Sequence, residues 1–233
     1  MKQKQLIISP EEEQQVITQK GLARRRFLTQ ALGVASIATL AACSKDDDNN
    51  MQNGVDLGSG DIGILNYAYA LEQLEAAFYI QVIQSPYSGI SATEQALLTD
   101  IRDHEIAHRE FFKTALGAKA IPDLEVNFSS INFGSRDSVL ATAKAFEDLG
   151  VSAYNGAGKL ITSADYLVLA GKIVSVEARH AAYIRDLISN GTFADNTVID
   201  AMGLDKSRLP PEVLMMAGTY IKTKINASNL PTS

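Results

Sequence analysis

Two short acidic motifs occur twice along this chain, in the same order and at nearly the same spacing. Glu72 is followed 33 residues later by Glu105-Ile-Ala-His108, and Glu147 is followed 30 residues later by Glu177-Ala-Arg-His180. On a helix, residues three positions apart share a face, so each glutamate–histidine pair can point both groups at one place. A repeat of this kind indicates four helices whose polar groups can meet inside the fold.

Each isolated glutamate also begins the pattern E-x-L-x-x-x-x-Y, which ends at Tyr79 in the first half and Tyr154 in the second. A tyrosine on an apolar helix face is usually a core residue, so we assign neither a redox role. The repeat also chooses between two carboxylates of the first helix. Glu72 has a glutamate at the corresponding position of the second half, whereas Glu75 corresponds to Gly150. We therefore predict Glu72 as a ligand and Glu75 as an extra ligand or a neighbour of the ligands.

Helical periodicity dominates from Ile62 to Asn190, and no stretch alternates like a half-buried strand. The connections within the first and second helix pairs are short, but the eighteen residues 118–135 between the pairs look extended. Two antiparallel hairpins joined by one long crossover form a known type of four-helix bundle. We therefore predict an all-α four-helix bundle over residues 60–190 and a C-terminal extension, 191–233, with one short helix. The predicted helices cover residues 61–83, 91–116, 135–161 and 162–190, and the short helix follows Pro210-Pro211.

The first 43 residues have the features of an export signal. Three arginines, Arg24 to Arg26, precede an apolar run from Ala31 to Ala42 that is too short to span a bilayer. Paired arginines indicate the twin-arginine route, and Leu40-Ala41-Ala42-Cys43 resembles the lipobox of bacterial lipoproteins. We therefore expect an exported lipoprotein, anchored to a bacterial membrane and facing the periplasm or the cell surface. The expected segments are a signal peptide over residues 1–42, a lipidated Cys43 and a flexible tether over residues 43–59.

Composition excludes several kinds of site and argues against one class of partner. Cys43 is the only cysteine, so a lipid there leaves no thiol for a disulfide, a zinc finger, an iron–sulfur cluster or a nucleophile. Removal of residues 1–42 takes away six basic and three acidic residues and leaves a net charge of about −9. That charge argues against nucleic acid as a partner.

The stretch His104-Glu-Ile-Ala-His108 also matches the H-E-x-x-H pattern of zinc proteases. In that interpretation both histidines bind one zinc ion and Glu105 is the catalytic base. It needs a third ligand and leaves the second motif, at Glu177 and His180, unexplained, so we keep it as a minor alternative. Otherwise His104 is a partly exposed histidine or a neighbour of the ligands. A bundle whose glutamates and histidines form a polar network without metal is a further alternative.

The order E … ExxH … E … ExxH over residues 60–190 resembles ferritins, bacterioferritins and rubrerythrins. The segment LNYAYALEQLEAAFY, residues 65–79, is similar to the first helix of ferritin-like proteins that include the desiccation-related proteins. The resemblance implies two metal ions, with iron as the first choice and manganese as the alternative. It implies that Glu72 and Glu147 each bind one ion, that Glu105 and Glu177 bridge both, that His108 and His180 each bind one, and that Tyr79 and Tyr154 lie beside the site.

The resemblance also implies a function. A site of this type binds Fe(II) and reacts with oxygen or peroxide, so we expect a membrane-tethered protein that oxidises Fe(II) or consumes oxidants. A peroxidase cycle would need an external electron donor, manganese would allow a catalase-like activity, and a lipid anchor fits poorly with a closed storage cage. The alternative is a non-enzymatic stress-related or envelope-binding protein with a vestigial site. The oligomeric state is left open.

Overall fold

The computed structural model describes residues 54–232, and helices account for most of this part of the chain. Four long helices are followed by one short helix, which confirms the predicted all-α four-helix bundle with a short C-terminal helix. Each observed boundary lies within about three residues of the predicted one, since the breakers and caps that set them are local. The helices are α1 (Gly60–Gln84), α2 (Ala92–Leu116), α3 (Arg136–Gly158), α4 (Ala164–Ile188) and α5 (Pro210–Ala217).

Serine caps fix where three of the long helices begin. The side chains of Ser91, Ser135 and Ser163 accept hydrogen bonds from backbone amides in the first turns of α2, α3 and α4. Short loops join α1 to α2 and α3 to α4, and the members of each pair pack together. Each pair is therefore an antiparallel hairpin, and contact between α1 and α3 joins the two hairpins.

The four helices differ in how much of their surface is covered. Every residue of α1 from Gly63 to Ala76 is buried, so this helix runs through the centre of the fold. By contrast, α2 and α4 bury only narrow stripes, which contain Glu105 and Glu177 respectively. An amphipathic helix places its buried stripe against the core, so these two glutamates point into the bundle.

The crossover between the hairpins is anchored on α1 by two buried polar side chains. The amide of Asn66 donates to the carbonyl of Lys119 at 2.9 Å and accepts from the amide of Ile121 at 3.0 Å. Two turns further along, Gln73 accepts from the amide of Leu124 at 2.7 Å. These bonds satisfy backbone groups that an extended segment leaves unpaired, and they hold the crossover against the bundle.

The segment before α1 is part of the fold, which corrects the predicted tether. Val55–Asp56 forms a two-residue strand, β1, that pairs in parallel with the strand β2, Ile225–Asn226. Leu57 follows β1 with 0% exposure. The flexible tether expected over residues 43–59 therefore does not extend to residue 59, because pairing with the C-terminal segment and burial of Leu57 order its end. The predicted signal peptide and Cys43 lie outside the described residues.

The C-terminal extension packs on α3 through a close backbone contact. A Cβ atom at Gly156 would lie only 1.7 Å from the carbonyl oxygen of Arg208. The backbone amide of Arg208 donates to the carbonyl of Ser152 at 2.9 Å, and its guanidinium donates to the Ser152 hydroxyl at 2.8 Å. The missing side chain at Gly156 thus allows the extension to reach the helix. Within residues 54–232, no helix combines the length and the apolar character needed to cross a membrane.

Candidate metal centre

The six predicted ligands meet in the interior of the bundle, near the middle of the four long helices. The four glutamates have 0% exposure, His180 has 5%, and the side chain of His108 has 13%. Burying so many ionisable groups without counter-charges is unfavourable, so their assembly indicates a site that binds cations. The contributing helices are α1 with Glu72, α2 with Glu105 and His108, α3 with Glu147, and α4 with Glu177 and His180.

These six side chains form two overlapping sets that could each hold one metal ion. Within each set, the candidate ligand atoms all lie within 4.8 Å of one another. The sets share Glu105 and Glu177, so two ions bound there would have two carboxylates in common. The first set is Glu72, Glu105, His108 and Glu177, and the second is Glu105, Glu147, Glu177 and His180.

The two oxygens of Glu105 face different histidines. Its Oε1 lies 2.8 Å from Nδ1 of His180, and its Oε2 lies 3.6 Å from Nδ1 of His108. On the opposite side, Oε1 of Glu177 lies 2.9 Å from Nδ1 of His108. A bridging carboxylate needs one oxygen for each ion, and Glu105 has this orientation.

Many of the ligand atoms are buried without a hydrogen-bond partner, although they lie close together. This group contains both oxygens of Glu105, both oxygens of Glu177, and Nδ1 of both His108 and His180. Buried polar atoms are normally hydrogen-bonded, so this concentration requires an explanation. The atoms approach one another without hydrogen-bond geometry, as ligands aimed at shared points would. The residues present therefore fit a pair of metal ions.

The two tyrosines of the repeat each hydrogen-bond a glutamate of the other half. The hydroxyl of Tyr79 on α1 donates to Oε1 of Glu147 on α3 at 2.5 Å. Reciprocally, the hydroxyl of Tyr154 on α3 donates to Oε1 of Glu72 on α1. In both glutamates the remaining oxygen, Oε2, has no hydrogen-bond partner. Each tyrosine thus leaves one oxygen of its glutamate for an ion. The sequence predicted that the tyrosines lie beside the site but not this exchange between halves.

Glu75 adds a fifth buried carboxyl group, which belongs to neither ligand set. The space for it comes from Gly150, where a Cβ atom would lie 3.0 Å from Oε1 of Glu75 and 3.5 Å from Oε2 of Glu177. The glutamate and glycine occupy corresponding positions of the two halves, so the site departs from symmetry here. The structure places Glu75 beside the ligands, one of the two positions that the sequence left open.

His104 lies outside both ligand sets and contacts one of the ligands. Its Nδ1 is 2.9 Å from Nε2 of His180, and the two rings stack with an interplanar angle of 8°. The zinc-protease interpretation requires His104 and His108 to bind the same ion, and this geometry contradicts it. Because His104 and Glu105 are adjacent on a helix, only Glu105 reaches the core. His104 instead fixes the orientation of the His180 ring.

Burial and mutual repulsion raise the pKa values of several carboxyl groups in the centre. Burial raises the pKa of Glu72 to about 7. Burial, followed by the charges of neighbouring glutamates, raises the pKa of Glu75 and of Glu177 well above the ordinary range. Without cations these groups would hold protons, since the bundle interior does not favour several negative charges.

Glu105 and His180 behave as an ion pair in the same centre. Burial acts to raise the pKa of Glu105, but the adjacent imidazoles outweigh it and lower the pKa to about 2. Burial acts to lower the pKa of His180, but Glu147 and Glu105 outweigh it and raise the pKa to about 11. Protonated histidines therefore compensate part of the acidic charge when metal is absent, and they must lose their protons before they bind an ion.

Four helices that carry two carboxylate–histidine sets with shared carboxylates define the class of dinuclear carboxylate helical bundles. A sequence model of the ferritin-like domain family matches residues 60–190, so this chain belongs to that family. The match spans all four long helices and confirms the ferritin-like resemblance inferred from the repeated motifs. A comparison with curated protein sequences gave no match.

Proposed function

We propose that this protein binds two metal ions, with iron as the first choice, and oxidises Fe(II) with oxygen or peroxide outside the cytoplasm. The observation that carries the proposal is the sharing of Glu105 and Glu177 between two ligand sets. A single-ion site has no need of two carboxylates whose oxygens face two histidines. The proposal rests equally on the chain's membership of the ferritin-like domain family.

The donor atoms favour iron or manganese over other ions. All candidate ligands are carboxylate oxygens or imidazole nitrogens, a combination that suits Fe and Mn, whereas soft thiolate ligands are missing from both sets. Four ligand carboxylates would balance the charge of two divalent ions. Iron bound in this way would supply the reaction with the oxidant, and manganese in the same sets would allow a catalase-like reaction.

The protein's own contribution is to hold the ligands and keep water out. Tyr79 and Tyr154 occupy one oxygen of each terminal glutamate and thereby fix how the other oxygen points. The four glutamates are fully buried, so bulk water does not compete for the ligand positions. His104 holds His180 from the partly exposed side of the centre. These groups prepare the site for cations before any ion arrives.

Export and membrane anchoring are part of the proposal. Arg24 to Arg26, the apolar run that follows and Cys43 support twin-arginine export and lipidation. We propose that Cys43 carries the lipid and that the domain faces the periplasm or the cell surface. Incorporation of labelled palmitate, with its loss in Cys43→Ser, would test this. The double substitution Arg24→Lys/Arg25→Lys should separately block export if the twin-arginine route is used.

Metal content is the direct test of the proposed centre. The chain from residue 44 onward would be loaded anaerobically with Fe(II) or Mn(II), and bound metal would be measured by mass spectrometry. We expect two ions per chain, as the two ligand sets indicate, and loss of both in Glu105→Gln because its carboxylate is shared. Glu72→Gln should lose the ion of the first set only. Glu110 is an exposed glutamate on the same helix as Glu105, so Glu110→Gln is the matched control and should retain both ions.

Turnover separates the proposed activity from simple binding. The loaded protein should consume oxygen or peroxide as Fe(II) is oxidised, and Glu105→Gln should abolish this consumption. Two ions without turnover would leave a metal-binding envelope protein, which contradicts the proposed oxidation. Absence of bound iron and manganese under all loading conditions would overturn the proposal entirely.

A further inference from the structure

An apolar cavity lies between the four long helices, at the end of the bundle where α2 ends and α4 begins. Its volume is about 30 Å³, and its walls are almost entirely apolar. Ala115 is exposed and Leu169 and Ala170 are half-buried, so these residues mark where the cavity approaches the surface. We call this space the apolar cavity, and its inner residues are Ala68, Phe112, Ala153, Tyr154, Ala157 and Ile173.

The apolar cavity ends one helical turn from the ligands of the first set. Ala68 precedes Glu72 by four residues, and Ile173 precedes Glu177 by the same number. Phe112 likewise follows a ligand, His108, by four. Four residues correspond to a rise of about 6 Å along a helix, so three helices bring the cavity wall to the same level beside the centre.

One further wall residue connects the apolar cavity directly to a ligand. Tyr154 lines the cavity, and its hydroxyl donates a hydrogen bond to Glu72. This tyrosine is the barrier between the cavity and the first ligand set. A small molecule in the cavity would therefore lie against the side chain that orients Glu72.

Aromatic rings fill the corresponding end of the second set. The residues related by the repeat to Ala68, Phe112 and Ile173 are buried, with exposures of 0%, 0% and 4%, and none of them lines the apolar cavity. An aromatic cluster packs there, in which the ring of Phe78 contacts those of Phe128 and Phe146 at centroid distances of 6.0 and 5.1 Å. The crossover contributes Phe128, so it covers one end of the centre and leaves the other with a cavity. The related residues are Ala143, Ile184 and Ile101.

We infer that the apolar cavity binds dioxygen and admits it to the first ligand set, an inference that rests on the proposed oxidation. A volume of about 30 Å³ is roughly twice the 10–15 Å³ needed for one water-sized sphere, so it suits a diatomic molecule. Dioxygen forms no strong hydrogen bonds and loses little on entering an apolar space. Water and hydrogen peroxide would lose several hydrogen bonds on entering, and the almost entirely apolar walls replace few of them. The cavity thus selects oxygen over peroxide as the oxidant.

Xenon tests the binding site without metal or turnover. Xenon is apolar and occupies dry cavities of this kind, so xenon NMR on the metal-free chain from residue 44 should detect a bound population. Ala157→Leu adds three carbon atoms inside the cavity and should abolish xenon binding. Ala145→Leu makes the same change at an exposed position of α3 and should leave binding unchanged.

Comparison of two oxidants then tests the delivery of oxygen. In Ala157→Leu, Fe(II) oxidation by oxygen should slow by roughly tenfold, the effect of about 1.4 kcal/mol of added barrier, while oxidation by peroxide is retained. Ala170→Phe, at the half-buried mouth, offers the same block with less strain if Ala157→Leu fails to fold by circular dichroism. Both variants should retain the metal content of the wild type.

The outcomes separate the two proposals. Absence of xenon binding in the wild type would overturn the gas-binding cavity. If Ala157→Leu removes xenon binding but leaves the ratio of oxygen to peroxide rates unchanged, the cavity has no role in oxygen delivery. An equal loss of both rates is one such case. A wild-type protein that binds xenon but oxidises no Fe(II) would support the gas site and overturn the proposed function instead.

Discussion

The role of each carboxylate in the centre depends on which of its oxygens a neighbour already occupies. The hydroxyl of Tyr154 donates a hydrogen bond to Oε1 of Glu72, and the hydroxyl of Tyr79 donates one to Oε1 of Glu147. In each glutamate only Oε2 is left for an ion. No hydrogen bond occupies either oxygen of Glu105 or Glu177, so both oxygens can bind. If the centre binds metal as proposed, single hydrogen bonds would thus distinguish terminal from bridging ligands before any ion arrives.

We predict that His104→Ala weakens the binding of one ion and spares the other. His104 contacts His180, a ligand of the second set, and the residue at the corresponding position of the repeat is Val176. Loss of a residue that orients a metal ligand typically lowers affinity by about 10- to 100-fold. Competition titration with a metal chelator should therefore resolve two affinities that differ more in the variant than in the wild type.

The control for this variant is Asp103→Ala, the exposed neighbour of His104 on the same helix. It should leave both affinities unchanged. Equal weakening of both ions in His104→Ala would show a general loss of structure rather than an effect on His180. Unchanged binding would show that the contact between the two histidines has no positioning role.

At the scale of helices, the two halves of the repeat contribute the same types of residue to the centre in the same order. The first helix of each hairpin, α1 or α3, provides one glutamate and one tyrosine, and the second, α2 or α4, provides the glutamate–histidine pair. The halves differ in how they are covered. The crossover packs on α1, and part of the C-terminal extension packs on α3, whereas α2 and α4 keep exposed faces.

We predict opposite effects for two glycine-to-alanine changes in helices. Gly156→Ala on α3 would place Cβ at 1.7 Å from the carbonyl oxygen of Arg208, so the extension must move and stability should fall by about 1–3 kcal/mol. Gly171→Ala on α4 meets no atom within 4 Å and should increase stability by about 0.5–1 kcal/mol. Urea unfolding measures both, and a stabilised Gly156→Ala would contradict the close contact.

The elements predicted from sequence are those whose information is local. Helix periodicity, the serine caps and the i,i+3 spacing of Glu105 and His108 can be read within a few residues, and the structure agrees with them. The pairing of β1 with β2 joins residues about 170 positions apart, and two-residue strands carry no periodic pattern.

The partners of buried polar residues also could not be predicted from local sequence patterns. Arg185 is 1% exposed, and its guanidinium donates to Asp148 at 3.0 Å and to Asp195 at 2.8 Å. A lone arginine late in a helix is normally solvated, so the residues around Arg185 do not indicate this role. Asn66 is a similar case, since its partners lie in the crossover. Which side chains anchor a distant segment depends on packing that no short window contains.

At the scale of the whole molecule, the centre sets how stability depends on pH. A carboxyl group with a raised pKa holds a proton in the folded state that it has lost in the unfolded chain. Its contribution is therefore complete below its ordinary pKa, about 4.5, and is lost as the pH rises through the folded value, about 7 for Glu72. His180 has the same sign, whereas Glu105 contributes above its ordinary pKa and loses its effect only near pH 2.

We predict that the metal-free protein becomes less stable between about pH 5 and pH 8, by up to about 1.4 kcal/mol per pH unit for each extra proton held by the folded state. Urea unfolding at several pH values would measure the slope. Glu75→Gln removes one group with a raised pKa and should make the slope shallower. Metal loading should reverse the trend, because the ions compete with protons for the same atoms. A metal-free protein that gains stability over this range would contradict the assignment.

The crossed hydrogen bonds of the two tyrosines make each half of the chain dependent on the other. One hairpin contains a glutamate, a tyrosine and a glutamate–histidine pair, but its glutamate is oriented by the other hairpin's tyrosine. Each ligand set also takes one shared carboxylate from the opposite hairpin. A hairpin alone could complete neither set, and two copies of it could complete both. In the arrangement of its ligands, this single chain is a pair of related but unequal hairpins that the crossover joins covalently.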